Sequence, residues 1–386
     1  MPIDIRGRLP TSAVPPVDEL LDHYLQFYTG RPVQFDPAVL VQAARDQEQL
    51  GFDSSLFPQR ATGPAVWPVV GWALSATRTL NVVAAHRSGL ERPTTAARTV
   101  ATLDRLSNGR LKVHFLQGRE EADMQRDGVF HDKAERYARA HEYLDIFRQE
   151  LTAIEPFDYQ GQYYQVEGAR SDVLPVQTPW PPLSIPGTSD AGIALAAKYA
   201  DVFSVPIATL ETARRAIARI TPLAAEHGRT LGFWGDANII VGATDEQAWE
   251  LAHALGDAVE QRQRETGSGF YDHANARASL AVHETGASST VEHVSEVWYP
   301  RLNVLTGHGY TLVGSPQTLA RHLLQFYCLG VSVITLGGIG NRYGAQGERL
   351  DSPEQLTLLK TLIDLLHEGA AAIDRDATPA AQPRAR

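Results

Sequence analysis

The sequence predicts a (β/α)8 TIM barrel, an α/β fold, and three observations carry that expectation. Short apolar runs rich in β-branched residues alternate with amphipathic helical runs along most of the 386 residues. Eight such strands can be counted, each followed by a helix, the number that closes a barrel. The residues that end these strands are polar, and strand ends are where a barrel keeps its chemistry. A doubly wound open sheet is the alternative that the same alternation allows.

The elements follow in order. "IDIRGRLP" reads as the first strand. Residues 37–50, "PAVLVQAARDQEQL", have helical spacing, with Pro37 in the first turn and Gly51 past the end. "FDSSLFP" is the second strand and "TLNVVAA" (79–85) the third. A helix over 94–106 breaks on "SNG" and turns into the fourth strand, "LKVHFLQG", which carries His114. Residues 132–151, "DKAERYARAHEYLDIFRQEL", form a long helix, and 157–168, "FDYQGQYYQVEG", a hairpin around a glycine turn. "PPLSIPG" (181–187), "DVFSVP" and "GDANIIVGAT" (235–244) are strands five to seven, followed by helices 189–199, 209–227 and 245–265. Residues 266–306 are irregular and aromatic-bearing, and read either as a lid or as a solvated insertion. "VSVITLGG" (331–338) is the eighth strand, flanked by helices 316–329 and 353–368. Residues 1–370 are thus expected to form one barrel domain, and the Ala/Pro/Arg-rich 371–386 a disordered tail.

Composition narrows the function classes. Apolar residues make up 43% of the chain, enough for a large core. No run of ~18 apolar residues is present to span a membrane. "MPIDIRGRLPTS" lacks the basic-then-apolar pattern of a secretory signal, so a cytoplasmic location is expected. The single cysteine, Cys328, excludes an internal disulfide and reads as buried helix filler. A net charge of -10 argues against nucleic acid as a partner, though not against a small anion in a local basic pocket. Metal-ligand spacing, a Walker loop and a G-x-S-x-G elbow are all missing, and "GGIGNRYG" (337–344) reads as a loop.

The strand ends hold Pro10 and Thr11, Gln59 and Arg60, His86 and Arg87, His114 and Gln117, Thr188 and Ser189, Asp236 and Asn238, and Gly337, Gly338 and Arg342. Each also has a plain structural reading. A strand histidine fits a core position satisfied by hydrogen bonds, His86 and Arg87 fit a loop cap, and Thr188-Ser189-Asp190 fits helix N-capping. Yet Gly187, Thr188 and Ser189 also form an anion site, because a helix N-terminus donates backbone N–H groups and hydroxyls to phosphate.

"TTAARTVATLDRLSNGRLKVHFLQG", "DGVFHDKAERYARAHEYLDIFRQEL", "FDYQGQYYQVEGA" and "QTPWPPLSIPGTSDAGIALAAKYADVF" resemble, in that order, the bacterial luciferase-like superfamily. Within it, they most resemble the alkanesulfonate monooxygenase-like enzymes, two-component monooxygenases that use reduced flavin on a TIM barrel. The resemblance implies FMN, as FMNH2, and O2 as cofactors, with a C4a-(hydro)peroxyflavin that must be shielded from water. It also implies a separate NAD(P)H:flavin reductase, a small organic substrate and a homodimer or homotetramer. Carried over by residue, Thr188 and Ser189 of "GTS" beside Gly187 would hold the flavin phosphate with Tyr137 of "AERY". His114 and Gln117 would lie beside the isoalloxazine, and Ala84 in "VVAAH" where the superfamily often has a non-prolyl cis peptide. His114 and His86 would manage the proton, with Asn238 as an orienting amide, while Arg60, Trp67, Arg87, Asp236, Trp298 and Arg342 would contact substrate.

Departures from the branch bear on substrate. "QRATGPAVW" has Gly63 where the branch has a cysteine, and strand seven reads Asp236-Ala237-Asn238 in place of Arg-x-His. "NVLTGHGYTLVG" has no equivalent of the mobile-loop arginine, and "GGIGNRYG" stands where a tyrosine follows strand eight. The sulfonate-cleaving set is therefore largely absent, although Arg60, Arg87 and Arg342 could rebuild a cationic pocket. A deazaflavin (F420)-dependent oxidoreductase and a non-catalytic flavin-binding barrel are the alternatives.

Overall fold

A computed structural model describes residues 2–14, 21, 24, 35–118, 121–266, 296–306, 309–340 and 342–377. Eight parallel strands close on themselves: β1 (Asp4–Arg8), β2 (Ser54–Phe57), β3 (Asn81–Arg87), β4 (Leu111–Leu116), β7 (Leu183–Ile185), β8 (Val202–Ser204), β9 (Gly232–Val241) and β11 (Val331–Gly337). Closure comes from the β8–β9 pairing on one side of β9 and the β9–β11–β1 pairings on the other. The barrel expected from the alternation is what forms.

Local sequence sets the helix ends. In α1 (Pro37–Leu50) the Asp36 carboxylate accepts from the Ala38 N–H at 2.8 Å, Pro37 opens the helix, and Gly51 closes it at φ 92°. The "SNG" break ends α3 (Pro93–Ser107) on Asn108 at φ 54°, a left-handed position that asparagine tolerates, and β4 follows within three residues. The hairpin is β5 (Phe157–Gln160) and β6 (Gln165–Ala169), antiparallel. Glu142 of α5 (Lys133–Thr152) accepts the N–H groups of Gln162, Tyr163 and Tyr164 at 2.8–3.0 Å and so ties the hairpin turn to the barrel's helical layer.

The remaining helices are α2 (Val66–Ala76), α4 (Glu121–Arg126), α6 (Asp190–Tyr199), α7 (Leu210–Glu226), α8 (Asp245–Thr266), α9 (Pro300–Thr306), α10 (Pro316–Tyr327) and α11 (Pro353–Ala377). Several differ from expectation. β10 (Tyr310–Gly314) lies in a stretch to which the sequence pattern assigns no element and extends the upper edge of β9, pairing from Ala237 to Val241 beyond the point where β8 ends. Of the expected lid, 267–295 fall outside the described residues, while 296–306 pack into the wall. There Trp298 is fully buried, bridges to Leu312 and donates to Asn303 Oδ1 at 2.8 Å, so it is not presented to the barrel mouth. The expected tail is helical as far as Ala377, because the run that follows residue 370 continues α11. Cys328 is exposed at the C-cap of α10 rather than buried filler. No helix among the described residues is long and apolar enough to cross a membrane.

Candidate active site at the barrel mouth

Side chains on a strand alternate between the barrel interior and the helical layer. On β3, Ala85 packs with Leu56, Trp234 and Val333 inside the barrel, whereas Ala84 packs in the outer core. His86 shares the outward parity of Ala84. Its Nε2 lies 2.8 Å from the Tyr143 hydroxyl, and its ring sits against Trp67 at 5.1 Å and Phe115 at 5.5 Å. Burial pushes its pKa down to about 3, so it is a neutral core imidazole. Ala84, His86 and Trp67 therefore do not face the mouth. Trp67 donates instead to Glu91 at 3.0 Å. The cis bond expected in "VVAAH" is absent too: the described backbone has one cis peptide, Thr178-Pro179, and β3 keeps a regular ladder with β4 through Arg87 and Leu116.

The interior is polar in layers. At the bottom, the Asp4 carboxylate accepts from Lys112 Nζ at 2.7 Å and Ser54 Oγ at 2.5 Å, and Arg6 Nε donates to the same Ser54 at 3.1 Å. The Arg6 guanidinium lies 5.4 Å from the Trp234 ring centroid. One layer up, His114 meets the Trp234 edge at 4.9 Å, and its Nδ1 lies 2.8 Å from Ser184 Oγ. Ser184 Oγ also lies 3.4 Å from the Val113 carbonyl, to which it donates when His114 Nδ1 carries the shared proton. Burial, and then the positive Arg6, bring the His114 pKa down to about 3. The interior thus holds a neutral imidazole.

Two arginines at the mouth are paired with carboxylates. Arg8 Nη2 donates to Asp236 Oδ1 at 2.6 Å, and each side chain is about one third exposed. Asn238, on the same face of β9, donates from Nδ2 to the Gly309 carbonyl at 3.4 Å, and its Oδ1 is buried without a partner among the described residues. Arg87 binds Asp127 at 2.8 Å and also Asp123, and its N–H donates to Gln59 Oε1 at 2.8 Å. Gln117 accepts from Ser88 Oγ at 2.6 Å, and its carbonyl takes Arg136 Nε at 3.1 Å. Arg342 is buried beside Asp351, and Arg60 is exposed in the 60–63 turn.

A candidate anion cradle lies after β7. Ser189 caps α6, its Oγ accepting the Gly192 N–H at 3.3 Å. A Cβ at Gly187 would come within 2.9 Å of the Gly192 Cα, and a Cβ at Gly192 within 3.0 Å of the Tyr137 hydroxyl. Both glycines are needed for this close approach, which gathers Tyr137, Ser189 and the first amides of α6. The acid in the first turn, Asp190, is paired with Arg219, which also reaches the Thr188 carbonyl at 3.5 Å. The helix end therefore stays receptive to an anion. A phosphate-bearing group fits this donor set. Among the described residues, no group of three or more His, Cys, Asp or Glu could hold a metal ion.

Reading strand ends alone missed Arg8, Ser184 and Trp234. The signal for Arg8 was present in "DIRGR", where Asp4, Arg6 and Arg8 alternate within one strand and so share the interior face.

Comparison with known proteins agrees with this architecture. The family model for luciferase-like monooxygenases matches residues 21–332. Among solved structures, the chain is similar to the EDTA monooxygenase EmoA from Chelativorans sp. BNC1, at 16% identity and TM-score 0.68, covering 98% of this chain and 95% of that one. It is similar also to the oxygenating constituent of 3,6-diketocamphane monooxygenase from Pseudomonas putida, in complex with FMN, at 15% identity and TM-score 0.66, covering 95% and 99%. A third is the coenzyme F420-dependent tetrahydromethanopterin reductase from Methanopyrus kandleri, at 15% identity and TM-score 0.62, covering 97% and 99%.

Proposed function

Because the chain belongs to the luciferase-like monooxygenase family, we propose that it is the oxygenating component of a two-component flavin monooxygenase. In this reading it uses reduced FMN and O2 to oxygenate a small organic substrate, receives the flavin from a separate NAD(P)H:flavin reductase, and works as a homodimer or homotetramer. The observation that carries the reading is the convergence of Tyr137, Ser189 and the α6 N-terminus at the barrel mouth, held by the close approach of Gly187 and Gly192.

Bound reduced FMN would supply the electrons that activate O2. The residues of the chain have separate tasks. Ser189, Thr188, Tyr137 and the first amides of α6 would hold the phosphate. His114 would present a neutral imidazole toward the ring, its orientation set by Ser184 and Trp234. The buried apolar cluster of Leu56, Val83, Ala85 and Val333, beside the polar layers, would help keep water from the reacting face.

The test is an anaerobic titration of the purified protein with reduced FMN and, in parallel, reduced F420, followed by mixing with oxygen. Preferential binding of reduced FMN with slowed release of hydrogen peroxide supports the monooxygenase reading. Preferential binding of F420 would transfer the site to deazaflavin hydride chemistry, the second reading, favoured by the likeness to an F420-dependent reductase. His114→Ala should weaken reduced-FMN binding or raise the fraction of oxygen released as hydrogen peroxide, by roughly tenfold for one lost hydrogen bond at the ring. Unchanged binding and unchanged coupling would remove His114 from the site.

A further inference from the structure

The mouth of the barrel sets the kind of head group it can accept, and the charge balance there is unusual for a site with so many arginines. Arg8 is matched by Asp236 at 2.6 Å, Arg87 by Asp123 and Asp127, and Arg342 has Asp351 beside it. Arg8 and Arg87 are thereby already engaged by carboxylates of the chain. What the mouth offers instead is acceptors. Asp236 Oδ1 takes Arg8, while Oδ2 has no partner among the described residues. Two residues along the same face of β9, Asn238 has its amide direction set by the Gly309 carbonyl, which can only accept and so faces Nδ2. That leaves Asn238 Oδ1 buried and without a donor among the described residues. Gly337 permits this arrangement, since a Cβ there would come within 2.6 Å of Asn238 Oδ1 and 3.3 Å of Arg8 Cζ.

We propose that this mouth selects an uncharged substrate whose head group donates hydrogen bonds, a hydroxyl or amide N–H, to Asp236 Oδ2 and Asn238 Oδ1. The proposal names the substrate class of the site and rests on the oxygenase reading above. Asn238 Oδ1 is a buried acceptor without a donor among the described residues, which is costly, so a donor supplied by the ligand gains there, while at the part-exposed Asp236 Oδ2 it replaces water. A sulfonate or carboxylate would bring acceptors against acceptors and find Arg8 already neutralised. An ammonium would meet the cation of Arg8 beside its partner carboxylate.

The experiment is a calorimetric titration of the full chain, with and without reduced FMN under anaerobic conditions, using hexan-1-ol, hexanamide, hexane-1-sulfonate and hexylammonium. The uncharged donors should bind about tenfold more tightly than the sulfonate and the ammonium. In Asp236→Asn, which removes the charge that cancels Arg8, the sulfonate should gain and the alcohol should lose, closing the gap. Sulfonate or ammonium binding as tightly as the alcohol in the native protein overturns the proposal, as does the absence of binding by all four. An unchanged order in a folded Asp236→Asn variant also overturns it. If that variant does not fold, the native ranking alone decides. Failure of reduced FMN to bind retires the oxygenase reading instead, and the head-group ranking is still read on the flavin-free protein.

Discussion

Gly187→Ala should weaken reduced-FMN binding by roughly one to two orders of magnitude while changing riboflavin binding far less. The new methyl would lie 2.9 Å from the Gly192 Cα. The obstacle is backbone in the first turn of α6, which cannot rotate away as a side chain can. The helix end must therefore move, taking with it the amides, the Ser189 hydroxyl and the contact with Tyr137 that together receive an anion. Charge-assisted hydrogen bonds of this kind contribute about 1.5–3 kcal/mol each, so loss of even one is felt as about tenfold or more. Riboflavin lacks the phosphate and reports only on the ring site. Comparing the two ligands by equilibrium titration separates a damaged cradle from general misfolding. Equal losses for FMN and riboflavin would remove the phosphate from this site. Thr188→Ala combined with Ser189→Ala should act in the same direction without moving the helix.

Asp4→Ala should be among the most destabilising substitutions in the barrel, at about 3–5 kcal/mol, because it strands two cations in a closed interior. Asp4 receives Lys112 at 2.7 Å and pairs with Arg6 at 3.4 Å, and Arg6 is buried with its Nη1 already lacking a partner among the described residues. Burial alone would raise the Asp4 carboxyl, but Arg6 and Lys112 outweigh it and hold the pKa below its ordinary value. Since the folded pKa is the lower one, the stabilisation is fully present above the unfolded value. It is lost as the pH falls below about 4 and through the folded value. Denaturant unfolding at neutral pH checks the size of the effect, and the same measurement at acid pH checks its sign. A native-like midpoint for Asp4→Ala would show that the interior cations are satisfied some other way. Asp4→Asn should cost less, because it keeps an acceptor for Lys112 while losing the charge.

Much of this molecule was legible from local pattern. Each barrel strand stands where a short run between helices, bounded by turn residues, predicted it. The "SNG" break, the Pro37 helix start and the 157–168 hairpin follow from backbone conformations open to particular residue types. The helix cap at Ser189 is legible for the same reason, since a capping side chain acts within three residues of its own position.

Facing and pairing were not legible in this way. His86 and His114 look alike as strand histidines, yet one packs against Tyr143 in the helical layer and the other against Trp234 inside the barrel. Strand parity separates them, and a shift of one residue in a ladder reverses it, so the assignment needs the register of neighbouring strands. Arg87 was an expected substrate contact and proves to be bound by Asp123 and Asp127 of a later helix and its loop. Arg8 meets Asp236 across 228 positions of chain, a distance over which no periodicity in the sequence can operate. Alone, then, the sequence determined the barrel, its strands and the capped helix end after the fifth barrel strand, because those depend on short-range backbone preference and burial. The tertiary structure decided which imidazole faces the interior and which arginines are neutralised, because a charge is cancelled by whatever closure of the barrel brings within a few ångströms.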